Sequence, residues 1–196
     1  MVATIVAGPA DNANAQLAHA VRLVREGRFA EAESALRRAL ELPLPHGQDD
    51  RQLKAQMHMY LGSSLSAQGK IAEGTPHLER ALALNPDLTE TYGLLGENYL
   101  GAGRSADALR SFEHAIEKMP DLPPLLTRAA MVLATSSRAE VRDGAKAVAY
   151  AERATKLTGG RDPNAMAALA GAYAEAGQVD RALAAGNQTM AAADPG

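Results

Sequence analysis

The chain repeats itself at an interval of 34 residues, and this constrains its fold more than any single motif does. Leu61-Gly62, Gln68-Gly69, Ala81-Leu82 and Pro86 return as Leu95-Gly96, Ala102-Gly103, Ala115-Ile116 and Pro120, each displaced by 34 positions. A later copy, Leu169-Ala170, Tyr173, Gly177 and Ala182, stands 74 positions after Leu95-Gly96, Tyr99, Gly103 and Ala108, which is two periods plus six. A period of this length implies stacked supersecondary units, each too small to bury its apolar face alone. Within each period, apolar residues recur at spacings of three and four in two stretches divided by a glycine-containing turn, the pattern of two amphipathic helices.

Composition agrees with an all-helical chain. Aromatic residues make up 4%, and Trp and Cys are absent. Alanine is abundant, as in Ala165-Met166-Ala167-Ala168-Leu169-Ala170. It is the best helix former and lets helices approach closely, whereas sheets favour the β-branched and aromatic residues that are sparse here.

The third period reads Tyr92-x2-Leu95-Gly96-x2-Tyr99, then Ala108-x3-Phe112, then Pro120. It resembles the tetratricopeptide repeat family, whose pattern is W-x2-L-G-x2-Y, A-x3-F and P, with Tyr in place of Trp. The second period carries Leu61, Gly62, Leu65, Gly69, Leu78, Ala81 and Pro86, with Gly74 where alanine is usual. Five units follow, at about 13–43, 55–88, 89–122, 123–160 and 163–193, forming a single solenoid over 13–196 behind a flexible segment, 1–12. The resemblance implies a right-handed superhelix, an α-solenoid of antiparallel helix pairs. Two places break the rhythm. Residues 43–50 read as a loop, with the next helix reaching back to about Asp50, and residues 135–142 read as a polar insertion before Asp143 caps a helix. Asp162-Pro163 reads as an N-cap followed by the first helical residue.

Catalytic chemistry finds no foothold. The glycines between Gly93 and Gly103 lie within and at the end of a helix, whereas a phosphate loop follows a strand and opens one. None of His19, His46, His58, His77 and His114 lies four residues from another, and no H-E-x-x-H run occurs. His77 and His114 read as partly exposed helix residues. His46 with Asp49 and Asp50 reads as a solvated loop rather than a cation site. The Asn187-Gln188-Thr189 sequon falls within a helix and is taken as coincidence. The expectation is therefore no enzyme, no catalytic or metal residues and no cofactor. A net charge of −3 without a basic stripe beyond Arg37-Arg38 argues against nucleic acid. No apolar run approaches the roughly 18 residues of a membrane span, so no direct membrane insertion is expected. The expected compartment is the cytoplasm, with the periplasm as the alternative if a signal peptide has been removed.

What remains is a groove. The resemblance implies that first helices line a concave face, which makes Gln56, Met59, Ser63, Ser66, Glu90, Gly93, Glu97, Leu100, Thr127 and Met131 the candidate peptide-binding residues. The plain alternative is that some of them pack between neighbouring repeats. A family subtype grips a partner's terminal carboxylate with a Lys/Asn/Arg clamp. Met59, Ser63, Gly93 and Glu97 occupy those positions here, so the clamp is missing, and Glu97 would repel a carboxylate. Such a lining suits another protein, as an extended apolar segment or an amphipathic helix. The expected role is a scaffold or adaptor, or alternatively an oligomerisation or docking module of a larger protein. At the C-terminal end no solvating helix follows the fifth unit, which leaves Leu183 and Met190 partly uncovered and open to homo-oligomer contact.

Overall fold

The computed structural model describes residues 12–43 and 50–193. Residues 1–11, and His46 and Asp49 of the 43–50 loop, lie outside the described residues. Those described form ten α-helices and one 3-10 turn, with no strand among them. The chain divides into two compact units, residues 1–102 and 103–196.

The first unit contains α1 (Ala13–Arg25), α2 (Phe29–Glu41), α3 (Asp50–Ala67), α4 (Ile71–Leu84) and α5 (Thr89–Gly101). Asn12 caps α1 by accepting from the Ala15 amide at 2.7 Å. The turns after α1 and α3 share one construction. Gly27 and Gly69 adopt φ of +74° and +79°, the left-handed region that glycine enters without a Cβ penalty. This lets the Arg28 amide reach Leu23 O and the Lys70 amide reach Leu65 O, both at 2.9 Å. The end of each first helix is thereby satisfied and the chain reverses. Leu17, Ala20, Leu23, Ala32, Leu36, Ala39, Leu53, Met57, Leu61 and Leu65 fuse α1, α2 and α3 into one core. Each successive helix packs on the one before it, and α1 also touches α3, as α3 does α5.

The second pair is drawn tighter than the first. A Cβ on Gly62 would lie 2.8 Å from Gly74 O, and one on Gly74 would lie 2.6 Å from Ser66 Oγ. Gly74 therefore stands where the repeat usually has alanine because the Gly62 carbonyl oxygen and the Ser66 hydroxyl of α3 together fill the space a methyl group would need. Charge ties the first two pairs together. Glu33 on α2 accepts from Lys70 Nζ at 2.9 Å and Gln68 Nε2 at 3.0 Å, and pairs with Arg37 at 2.9 Å. Lys70 foremost, helped by Gln68 and Arg37, holds its carboxyl down to about 2.

The second unit contains α6 (Ser105–Lys118), α7 (Pro123–Thr135), a 3-10 turn (Ala139–Val141), α8 (Gly144–Leu157), α9 (Pro163–Glu175) and α10 (Val179–Ala193). The insertion at 135–142 is a folded connection. Val141 is buried, the Asp143 amide donates to Leu133 O at 3.0 Å, and Arg142 pairs with Glu175 at 3.0 Å. Asp143 and Asp162 cap α8 and α9 through the amides of Lys146 and Asn164, both at 2.9 Å. The core runs through Ala130, Leu133, Ala147, Ala151, Leu169, Ala172 and Tyr173. The Tyr173 hydroxyl donates to Glu152 at 2.8 Å while Arg181 lies 4.1 Å above the Tyr173 ring centre and donates to Glu152 at 2.7 Å, joining α8, α9 and α10.

Candidate protein-binding wall

First helices lie against first helices within each unit: α1 against α3, α3 against α5, and α7 against α9. Each is thus contacted by second helices on one side and by another first helix beside it. The sector left over is narrow, and the candidate residues fall unequally upon it.

In the first unit, Gln56, Ser63 and Ser66 on α3 and Gly93, Glu97 and Leu100 on α5 are half-buried, and Glu90 is exposed. They lie on two helices that touch, α3 and α5. Ser66 is partly committed, since its hydroxyl donates to Gly62 O at 2.8 Å. Met59, between Gln56 and Ser63 on the same face of α3, is only 5% exposed and is taken up by packing. Tyr60 is half-buried and packs against the core of α1, α2 and α3. In the second unit, Thr127 is 4% exposed within α7, and Met131 is half-buried against that unit's core. Open lining is therefore concentrated on α3 and α5, and in α7 the candidate positions are largely taken up by packing.

Across this lining the chemistry is small, polar and weakly acidic. Among the described residues no group of three or more His, Cys, Asp or Glu side chains could hold a metal ion, and no helix is long and apolar enough to cross a membrane. A shallow recess lined by Arg51, Gln52, Leu84, Asn85 and Pro86 opens where α3 begins and α4 ends. It gathers no nucleophile or acid–base pair.

One arrangement escaped sequence reasoning. His58 on α3 and His77 on α4 face each other with Nδ1 atoms 3.0 Å apart, both half-buried. Burial first, then neighbouring cations, pushes both imidazoles below the usual histidine range, His58 to about 4. The two residues stand 11 before and 8 after the Gly69 turn.

Residues 53–121 match the tetratricopeptide repeat family model. The chain is 29% identical over 155 residues to the cytochrome c-type biogenesis protein CycH of Pseudomonas aeruginosa, an alignment covering 74% of this chain and 38% of that protein. The chain thus spans well under half the length of this relative. Among solved structures, a MamA (AMB-1) is 19% identical with a TM-score of 0.76, covering 92% of this chain and 99% of that one. MamA 41-end from Desulfovibrio magneticus RS-1 is 14% identical, with a TM-score of 0.75 and coverage of 93% and 96%. YrrB, described as a TPR protein with an unusual peptide-binding site, is 17% identical, with a TM-score of 0.75 and coverage of 93% and 87%. The fold is accordingly that of the α-solenoids. Residues 53–121 thus carry the tetratricopeptide repeat, and the chain as a whole shares its fold with these α-solenoids.

Proposed function

We propose that this chain is a non-catalytic scaffold that holds another polypeptide, as a peptide or an amphipathic helix, against the wall formed by its first helices. The observation that carries the reading is that α3 and α5 touch and keep side chains open: Gln56, Ser63, Gly93, Glu97 and Leu100 half-exposed and Glu90 exposed. Small side chains let a partner backbone approach, Leu100 offers an apolar contact, and Glu90 favours a partner bearing Lys or Arg. The likeness to YrrB supports a peptide as the occupant. The likeness to CycH supports a partner that is itself handled in cytochrome c-type biogenesis.

A phage-displayed random peptide library selected on the whole chain tests this reading. Selected peptides should be enriched in Lys or Arg beside apolar residues. They should lose at least tenfold in affinity on Ser63→Arg with Glu90→Lys, in a variant whose melting transition is unchanged. Binders indifferent to that pair would sink the wall assignment.

A second reading is favoured by one observation each for its two forms. The chain spans 38% of CycH, which suits a docking module of a larger protein. Val179 and Leu183 on α10 are 63% and 62% exposed, which suits self-association there. Sedimentation at rising concentration distinguishes them: association abolished by Leu183→Glu supports the second form, and a constant monomer removes it.

A further inference from the structure

We propose that His58 and His77 form a proton-counting latch across the α3/α4 pair, closed while at most one proton lies between their facing nitrogens and opened by a second. The inference is independent of the binding wall. Its basis is the direction in which the two rings meet. The Nδ1 atoms are 3.0 Å apart, the ring centres 5.2 Å apart, and the planes inclined by only 23°. The centre-to-centre distance nearly reaches its upper limit, the nitrogen separation plus two ring radii, so the rings meet edge to edge and nearly coplanar. One Nδ1–H then donates to the in-plane lone pair of the other Nδ1, which requires opposite tautomers in the two neutral rings. A single added proton leaves a donor and an acceptor. A second turns both nitrogens into donors aimed at each other, and the hydrogen bond is lost while two cations meet in a half-buried place.

The surroundings reinforce this. His58 is flanked by Lys54 of α3 and Arg80 of α4. His77 faces Arg37 of α2, with Glu33 of α2 and Glu73 of α4 opposing it. Burial and these cations favour the neutral pair, and His58 is held at about 4. Because the folded pair binds protons less readily than an unfolded chain, whose histidines titrate near 6.5, unfolding takes up protons as the pH falls below that value. The latch therefore stabilises the fold fully above about pH 6.5 and progressively less toward about pH 4. Among the described residues no third metal ligand joins the pair, and it is read as a proton site.

Nitrogen-15 NMR of the full chain at pH 7 should show one ring protonated at Nδ1 and the other at Nε2, both titrating below the ordinary histidine value of about 6.5. Two rings in the same tautomer, or titration near 6.5, would overturn the proposal. Denaturant unfolding should show the unfolding constant rising between pH 7 and 5, by at most about tenfold per pH unit for each proton taken up. His58→Gln with His77→Gln keeps an amide pair able to hydrogen-bond but unable to titrate, so that rise should shrink markedly. A wild-type slope in this double variant would equally overturn the latch. If the variant does not fold, the NMR titration decides alone.

Discussion

Gly62 and Gly74 face each other across the α3/α4 crossing so closely that a Cβ on Gly74 would lie 2.7 Å from the Gly62 carbonyl oxygen. One obstacle is the Ser66 hydroxyl at 2.6 Å, which can turn away, but the other is backbone, which cannot. Gly74→Ala, although alanine is the usual residue of the repeat, should destabilise the chain by about 1–3 kcal/mol through overpacking, read as a lowered urea midpoint. Gly74→Ala with Ser66→Ala should recover part of that loss, because only the side-chain obstacle has been removed.

Gly186 predicts the opposite sign. It lies within α10, and a Cβ there would meet nothing within 4 Å. Gly186→Ala should stabilise the chain by up to about 1 kcal/mol, since helix propensity is gained and no contact is disturbed. Thermal melting of the two proteins side by side checks it. An unchanged or lower midpoint would mean that this face of α10 is covered in solution.

Pro76 stands inside α4, exposed, where its ring denies Ala72 a hydrogen bond from the following turn. Pro76→Ala restores a donor at a position facing solvent. The expected gain is up to about 3 kcal/mol in helix propensity, less the entropy that proline removes from the unfolded chain. It should appear as a higher midpoint and as slower amide exchange in α4.

Glu33 makes a prediction about acid. Its folded pKa lies near 2 against an ordinary 4.5, so the unfolded chain takes up a proton first as the pH falls. The stability it contributes is present above about pH 4.5 and lost between there and about pH 2. Lys70 and Arg37 are 41% and 47% exposed, so solvent screening reduces the effect to about 1–2 kcal/mol. Glu33→Gln should therefore cost about that much at pH 7 and almost nothing near pH 2, as urea titrations at the two values would show.

The periodicity made much of this fold legible. The 42 residues between Gly27 and Gly69, against a 34-residue period, require a longer element, and α3 does begin at Asp50. Asp143 and Asp162 cap the helices that their positions announced. The lining was less legible. A first helix of a stacked array is touched by second helices and by other first helices at once, so helical spacing alone does not say which sector stays open. Met59 stands four residues before Ser63 on the same face of α3 and is buried, as is Thr127, whereas Ser63 and Glu97 keep part of their surface. The His58–His77 contact was hidden for a related reason: the two residues are 19 apart, and only the crossing geometry fixed by Gly62 and Gly74 brings them edge to edge.

That geometry has a counterpart at the 135–142 insertion. Gly144 opens α8 where it crosses the end of α9, and a Cβ there would lie 2.7 Å from the Ala176 nitrogen, 2.8 Å from its Cα and 2.9 Å from the Glu175 carbonyl carbon. All three obstacles are backbone, so no rotamer change relieves them. Gly144→Ala must push α8 away from α9, which also pulls at the Arg142–Glu175 ion pair and at the Asp143 amide bonded to Leu133 O. The expected cost is at least that of Gly74→Ala, about 2–3 kcal/mol. It should fall on the 103–196 unit first, with amide exchange rising in α8 and α9 before α1 to α4. Uniform destabilisation of the whole chain would instead mean that the two units unfold as one.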